Sequence, residues 1–175
     1  PGEEYGVVPS PEWKKKIFDE DWLVGNTYHT SIGQYGFQVT SLELVRAVAA
    51  LANNGYLVTP HLLTRMETGS TSLNLSKRDL KVIHEGMHMV VHDEGGTGRA
   101  LDISGMDIAA KSGTAELGVS KKLVNSLITG YFPYKNPKYA FVVIMEKGDR
   151  HNPFGAVFAA KDVLEYMRDY TTYTK

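Results

Sequence analysis

The chain has 175 residues, 42% of them hydrophobic, with no cysteine, and nineteen Lys and Arg stand against twenty Asp and Glu for a net charge of −1. That length and apolar content suffice for the core of one ordinary domain and exclude a mainly disordered chain. Balanced charge excludes bulk electrostatic binding to nucleic acid or to an anionic membrane surface, the one basic run being Lys14-Lys15-Lys16. The lack of cysteine excludes disulfides, thiolate metal sites and cysteine nucleophiles without fixing a compartment. No signal peptide, lipidation motif or long apolar span is present. The chain opens on Pro1-Gly2-Glu3-Glu4 without a methionine, so it is expected to be a piece of something longer.

The stretch from Tyr5 to Thr30 is rich in Gly, Pro and aromatic residues and keeps no period, which predicts loop with at most a helical turn near Trp13. Thr40-Ser41-Leu42-Glu43 is a capping box, and Leu42, Val45, Val48, Ala49 and Ala52 form the apolar stripe of a helix ending at Asn53-Asn54-Gly55. "YLVTPHLL" reads as extended chain stopped by Pro60, and "METGSTSLNLS" as a polar excursion. A second helix is predicted from about Lys77 to about Val91, with Leu80, Ile83, Met87, Val90 and Val91 on its core face. After the Gly95-Gly96-Thr97-Gly98 turn, "DIAAKSGTAEL", "NSLITGYFPY" and "KYAFVVIMEKG" read as three strands close enough for an antiparallel meander. A closing helix from Ala156 to Tyr170 carries Val157, Ala160, Val163, Leu164 and Met167 on one side. The expected fold is α/β of the α+β type, an antiparallel sheet flanked by helices, with residues 1–40 loop-rich, 41–92 helical and 106–175 holding the strands and the closing helix.

The second helix carries His84-Glu85-Gly86-Met87-His88, the H-E-x-x-H pattern of zinc metalloproteases. On a helix two imidazoles four apart can grip one zinc ion while the intervening Glu activates its bound water. His92 adds a third imidazole, but a straight helix carries it away from an ion held between the first two. Gly86 weakens the helix by about 1 kcal/mol relative to Ala. The competing reading is an amphipathic core helix with the histidines at its flank.

A different motif decides between them. In "AAKSGTAE", from Ala109 to Glu116, Lys111 offers a fixed positive charge and the hydroxyls of Ser112 and Thr114 offer hydrogen bonds, a set that matches a substrate carboxylate. Gly113 removes a side chain, so a ligand can lie along the strand as though it were another strand. Lys111-Ser112-Gly113 resembles the Lys-Thr-Gly element of the penicillin-recognising serine enzymes, the penicillin-binding proteins and serine β-lactamases. The likeness extends over nearly the whole chain. Ser31-Ile32-Gly33-Gln34 and the Ala-Leu-Ala-Asn-Asn-Gly tail of the capped helix resemble class B penicillin-binding proteins, and Pro11-Glu12-Trp13-Lys14 is most similar to their penicillin-binding protein 2 branch. Gly86-Met87, Val90-Val91 and Gly96-Thr97-Gly98 resemble the helix and turn that precede the family's signature strand, which leaves the histidines as incidental surface residues.

The resemblance implies the C-terminal part of a transpeptidase domain with a partial penicillin-binding-protein/serine β-lactamase-like fold. It implies a peptidoglycan D,D-transpeptidase that cross-links stem peptides during cell elongation through an acyl-serine. Lys111, Ser112, Gly113 and Thr114 would bind substrate or β-lactam, and the Thr114 backbone N–H would form half of the oxyanion hole. It also implies a periplasmic domain of a protein anchored in the inner membrane, with partners among the membrane proteins of the elongation complex. Neither cofactor nor metal is expected, nor any nucleic-acid partner.

The family's nucleophilic serine has a lysine three residues after it, and no serine in this chain does. Ser72-Leu73-Asn74 spells the family's Ser-x-Asn but stands on the wrong side of the capped helix. The family commonly enters its last helix with Ala-Ala-Pro, whereas Ala159-Ala160 is followed here by Lys161. The chain is therefore expected to grip substrate but to be inactive alone, the rest of its own domain being a required partner. The family's sheet also contains strands from the N-terminal side of the domain; without them "YAFVVIM" would present an unpaired edge. The alternatives are a catalytically inactive binding module of the same fold, a serine β-lactamase, and a zinc metalloprotease working through His84, Glu85 and His88.

Overall fold

A computed structural model describes residues 5–63, 69–118 and 121–170. The chain divides into two compact units, residues 1–43 and 44–175.

The first unit is more ordered than its composition suggests. Helix α1 (Pro11–Phe18) is capped by Ser10, whose hydroxyl accepts from the Trp13 N–H at 3.1 Å, and its first residue is proline, whose missing N–H costs nothing there. A second short helix, α2 (Val24–Ser31), follows. Lys14 lies between them, only 3% exposed. Its ammonium donates to the Asp21 carbonyl at 2.6 Å and to Asn26 Oδ1 at 3.2 Å, and pairs with Glu20 at 3.2 Å. Desolvation opposes that charge, but Glu20 and Tyr35 outweigh it, and the net direction of the lysine's pKa is upward. Trp13 meets Phe18 and Tyr35 edge-on, and Trp22 meets the same Tyr35. The predicted loop with one turn near Trp13 thus contains two helices of eight residues each. Two turns are too few to establish a hydrophobic period, and these are held by a cap, a lysine hub and ring contacts instead.

Helix α3 (Ser41–Ala52) begins at the expected capping box: the Thr40 N–H donates to Glu43 Oε2 at 2.9 Å and the Glu43 N–H to Thr40 Oγ1 at 3.1 Å. Its buried residues are Val48 and Ala50, while Leu42, placed on the core stripe by the sequence, is 40% exposed. Strands β1 (Tyr56–Val58) and β2 (Ser70–Ser72) form a small antiparallel pair. β2 falls within the predicted polar excursion, of which Met66 to Thr68 lie outside the described residues. Ser-Thr-Ser has no apolar alternation, and the strand is defined by backbone pairing alone. Ser72-Leu73-Asn74 closes it as an exposed turn in which the Asn74 N–H donates to Ser72 Oγ at 3.2 Å.

Helix α4 (Lys77–His92) is capped by Ser76 and buries Leu80, Met87 and Val91. A single 3₁₀ turn, Arg99–Leu101, leads to the main sheet. Its strands β3 (Ala109–Leu117), β4 (Leu123–Phe132) and β5 (Tyr139–Asp149) form the predicted antiparallel meander in the order β3-β4-β5. The register sets Lys111 opposite Thr129, Thr114 opposite Ser126, and Thr129 opposite Val142. Helix α5 (Ala156–Tyr170) closes the unit.

The sheet has a helical layer on each face. On one, Ala110, Ile128 and Phe132 join Ala156, Ala160 and Leu164 of α5 together with Val91, Leu101 and Ile108. On the other, Ala109 and Tyr131 join Val48 of α3 and Met87 of α4. β4 is the middle strand and sits tightly: a methyl at Gly130 would run into the Ala109 carbonyl oxygen and lie 2.9 Å from the Phe141 ring. At Gly148, on β5, the nearest atom would be 3.8 Å away. Gly130→Ala is therefore expected to lower the stability of the second unit by about 1–3 kcal/mol, and Gly148→Ala to change it by less than about 0.5 kcal/mol. Denaturant midpoints measured on both variants check this, and equal midpoints would contradict the packing described.

Candidate functional site

β3 is an edge strand, paired with β4 on one side and with no strand on the other among the described residues. It carries Lys111, Ser112, Gly113 and Thr114 in its first half, beyond the buried Ala109-Ala110. Lys111 and Thr114 are exposed and Ser112 is half-buried. Side chains alternate along a strand, so Lys111 and Gly113 share one face while Ser112 and Thr114 share the other. Groups on opposite faces can meet one ligand only around a free edge, and the Lys111 side chain makes that turn: its ammonium donates to the Ser112 carbonyl at 2.7 Å.

Ser112 is positioned from outside the strand. Its hydroxyl lies 2.6 Å from the hydroxyl of Thr97, fifteen residues earlier. Thr97 stands in the turn after α4, where the Gly96 N–H donates to the Asp93 carbonyl and the Gly98 N–H to the Val90 carbonyl, both at 2.9 Å. Any Cβ on Gly96 would collide with the Val90 carbonyl oxygen, so the turn can press against the helix end only with glycine there. The sequence singles out this Gly-Thr-Gly run by resemblance but gives no reason to join Thr97 to Ser112.

Gly113 receives a different physical account from the one expected. A Cβ there would come within 2.9 Å of the side chain of Leu127, its cross-strand partner, so the missing side chain makes room first for Leu127.

The H-E-x-x-H residues do not converge. His84 Nε2 is engaged with the Leu51 carbonyl at 2.9 Å and the ring stands edge-on to Tyr131, whereas His88 Nε2 faces Asp107 at 3.0 Å. Glu85 is exposed and lies 3.7 Å from Lys81. The histidines are half-buried and engaged, not the incidental surface residues expected, because they flank the helix face that buries Leu80, Met87 and Val91. Ile83, predicted to face the core, sits at the rim, 37% exposed.

Comparison with known proteins places this arrangement in a family. The family described as the penicillin binding protein transpeptidase domain matches residues 1–165. The peptidoglycan D,D-transpeptidase MrdA of Acinetobacter baumannii is 32% identical over 95% of this chain and 28% of its own length. The protein of the same name from Escherichia coli K12 is 31% identical over 94% of this chain and 30% of its own. Among solved structures, penicillin-binding protein 2 (PBP2) of Helicobacter pylori in complex with MreC superposes with a TM-score of 0.82 at 30% identity, covering 96% of this chain and 31% of that one. PBP2 of Pseudomonas aeruginosa in complex with WCK 5153 gives 0.76 at 29%, covering 99% and 40%. The chain thus spans about 30% of the length of these curated relatives. With the family match, the meander and the Lys-Ser-Gly-Thr edge strand all agreeing, the chain belongs to the penicillin-binding protein transpeptidase domain family.

Proposed function

We propose that this chain is the substrate-gripping, C-terminal portion of a peptidoglycan D,D-transpeptidase domain of the penicillin-binding protein 2 branch, which cross-links stem peptides during cell elongation. Lys111, Ser112 and Thr114 hold the terminal carboxylate of the donor peptide, and Gly113 lets the peptide lie along the strand. The observation that carries this reading is the free edge of β3, where a lysine and two hydroxyl side chains come from both faces of the strand. The Thr114 backbone N–H supplies half of the oxyanion hole and the nucleophile's own N–H the other half. The nucleophilic serine belongs to the rest of the domain, which the greater length of the relatives accommodates. Its oxygen bonds to the peptide carbonyl carbon as the amide C–N bond breaks, the terminal residue leaves as an amine carrying the proton the serine lost, and an acceptor amine then displaces the serine oxygen and returns a proton to it. A β-lactam, which also presents a carboxylate beside an acyl carbon, occupies the same place.

The names of the relatives and the complex of a Helicobacter pylori PBP2 with MreC support a periplasmic domain held at the inner membrane by a segment outside this chain, working with membrane proteins of the elongation complex. Among the described residues no helix is long and apolar enough to cross a membrane.

Denaturing mass spectrometry of the parent protein before and after treatment with a penicillin tests the reading. One covalent adduct per chain is expected; a folded parent that takes up none would make this a binding module instead. Lys111→Ala in the parent is expected to slow acylation about 10–100-fold, the value of one charge-assisted hydrogen bond. Thr97→Val, which frees the Ser112 hydroxyl, is expected to slow it about fivefold, corresponding to roughly 1 kcal/mol. Unchanged rates in both variants would remove the carboxylate site from β3.

A further inference from the structure

Helix α4 presents His84, His88 and His92 at four-residue spacing, and the proposed acyl transfer uses none of them. His84 is taken by the Leu51 carbonyl. The other two turn toward the segment that enters β3: His88 Nε2 lies 3.0 Å from Asp107 Oδ1, and His92 Nε2 lies 3.9 Å from the same oxygen. The three donor atoms all lie within 4.8 Å of one another, and theirs is the one such group of His, Asp or Glu among the described residues.

We propose that His88 Nε2, His92 Nε2 and an Asp107 carboxylate oxygen form a site for one divalent transition-metal ion, zinc being the best match, which clasps the end of α4 to the start of β3. The assignment stands apart from the acyl-transfer reading and concerns a different place from the Lys111 to Thr114 edge.

Two observations distinguish this cluster from an ordinary ion pair. First, His92 Nε2 is buried and has no hydrogen-bond partner, a costly state for a ring nitrogen unless something fills the space before it. Second, the other nitrogen of that ring, Nδ1, lies 3.1 Å from Asp102 Oδ1. An outer carboxylate beside the far nitrogen of the ring is the usual setting of a metal-bound imidazole, and here Nε2 is the nitrogen on the Asp107 side. A tetrahedral zinc with bonds of about 2.0–2.1 Å spaces its ligand atoms about 3.4 Å apart. The two nitrogen–oxygen distances, 3.0 and 3.9 Å, straddle that value, and the three donor atoms lie within 4.8 Å of one another. Two imidazoles and one carboxylate favour zinc and its neighbours over magnesium or calcium, which prefer oxygen alone. Asp107 is 43% exposed, leaving water access to a fourth position.

The role is structural. Asp107 stands two residues before β3, and His92 ends the helix whose following turn delivers Thr97 to Ser112. An ion there would fix both segments that meet at the substrate strand. The metal-free competitor is a column of tilted rings, with the His88 ring 4.1 Å from His92 and 4.3 Å from Tyr134, held by the contacts of His88 and His92 with Asp107 and Asp102.

The test is calorimetric titration of the untagged, chelator-treated full chain with zinc chloride, together with absorption spectra on adding cobalt(II). One ion per chain is expected, with a raised melting temperature and the cobalt absorption bands of a tetrahedral nitrogen–oxygen site. His92→Gln and Asp107→Asn should each weaken binding at least about tenfold, and Asp102→Asn by about 10–100-fold through loss of the orienting carboxylate. His84→Gln should leave affinity unchanged. Absence of stoichiometric zinc binding and of cobalt bands in the unmodified chain would establish the metal-free column. Binding that survives both His92→Gln and Asp107→Asn, or is lost with His84→Gln alone, would equally overturn the assignment.

Discussion

Strand β4 is the constraint on which the second unit rests. It is hydrogen-bonded on both edges, to β3 and to β5, and it sends Ile128 and Phe132 into the core under α5 and Tyr131 into the core under α3 and α4. A strand used on both edges and both faces has no freedom to slip, because a shift of one residue would reverse every side chain. Its polar groups are drawn into the same scheme: Thr129, buried in the middle of the strand, donates to the Phe141 carbonyl at 2.8 Å. The Tyr131 hydroxyl is buried without a partner, and desolvation, with Tyr134 and Asp107 nearby, holds its ionisation well above the ordinary tyrosine range.

With β4 fixed, β3 follows. One of its edges is consumed by pairing; the other has no strand on it among the described residues, and there Lys111 and the Ser112 and Thr114 hydroxyls could address one ligand. As it stands, the lysine is exposed, and an exposed charge attracts a carboxylate at 4 Å by only about 1 kcal/mol in water. The attraction grows several-fold where water is excluded. A cleft with a second wall would therefore turn the same lysine from a weak attractor into a strong one, which is the physical reason the proposed carboxylate site calls for a larger domain. Thr97 contributes differently: it adds no charge but holds the Ser112 hydroxyl in place, which would lower the ordering cost of binding at the proposed site.

Those parts of the fold with a complete local signal were legible in the sequence. The capping box of α3 closes as read, and the three strands and α5 lie where alternation and helical period put them, because each repeats its pattern over about four turns or several pleats. α1 and α2 were not legible, since eight residues held by the Lys14 hub carry no stripe. β2 was not legible because Ser-Thr-Ser has no apolar side to alternate. For the proposed site, residue chemistry points to Lys111 to Thr114, but the joining of Thr97 to Ser112 depends on tertiary proximity that no local pattern encodes. Gly113 illustrates the limit well: the sequence says that a side chain is absent, and only the register says that Leu127 takes the space.

The histidines of α4 carry the same lesson further. Four-residue spacing occurs twice on this helix, at His84/His88 and again at His88/His92, and a helical spacing establishes only a shared face. Which pair can act together is decided by what the neighbouring chain offers. Opposite His84 stands a backbone carbonyl, which engages one ring nitrogen. Opposite His88 and His92 stand the carboxylates of Asp107 and Asp102, which supply one oxygen to share and one to orient a ring. The pair with the famous spacing pattern around Glu85 is thus divided between two neighbours, while the pair without a motif has the carboxylates that a cation requires. A sequence motif proposes which side chains share a direction; the partner segment determines what chemistry that direction can have.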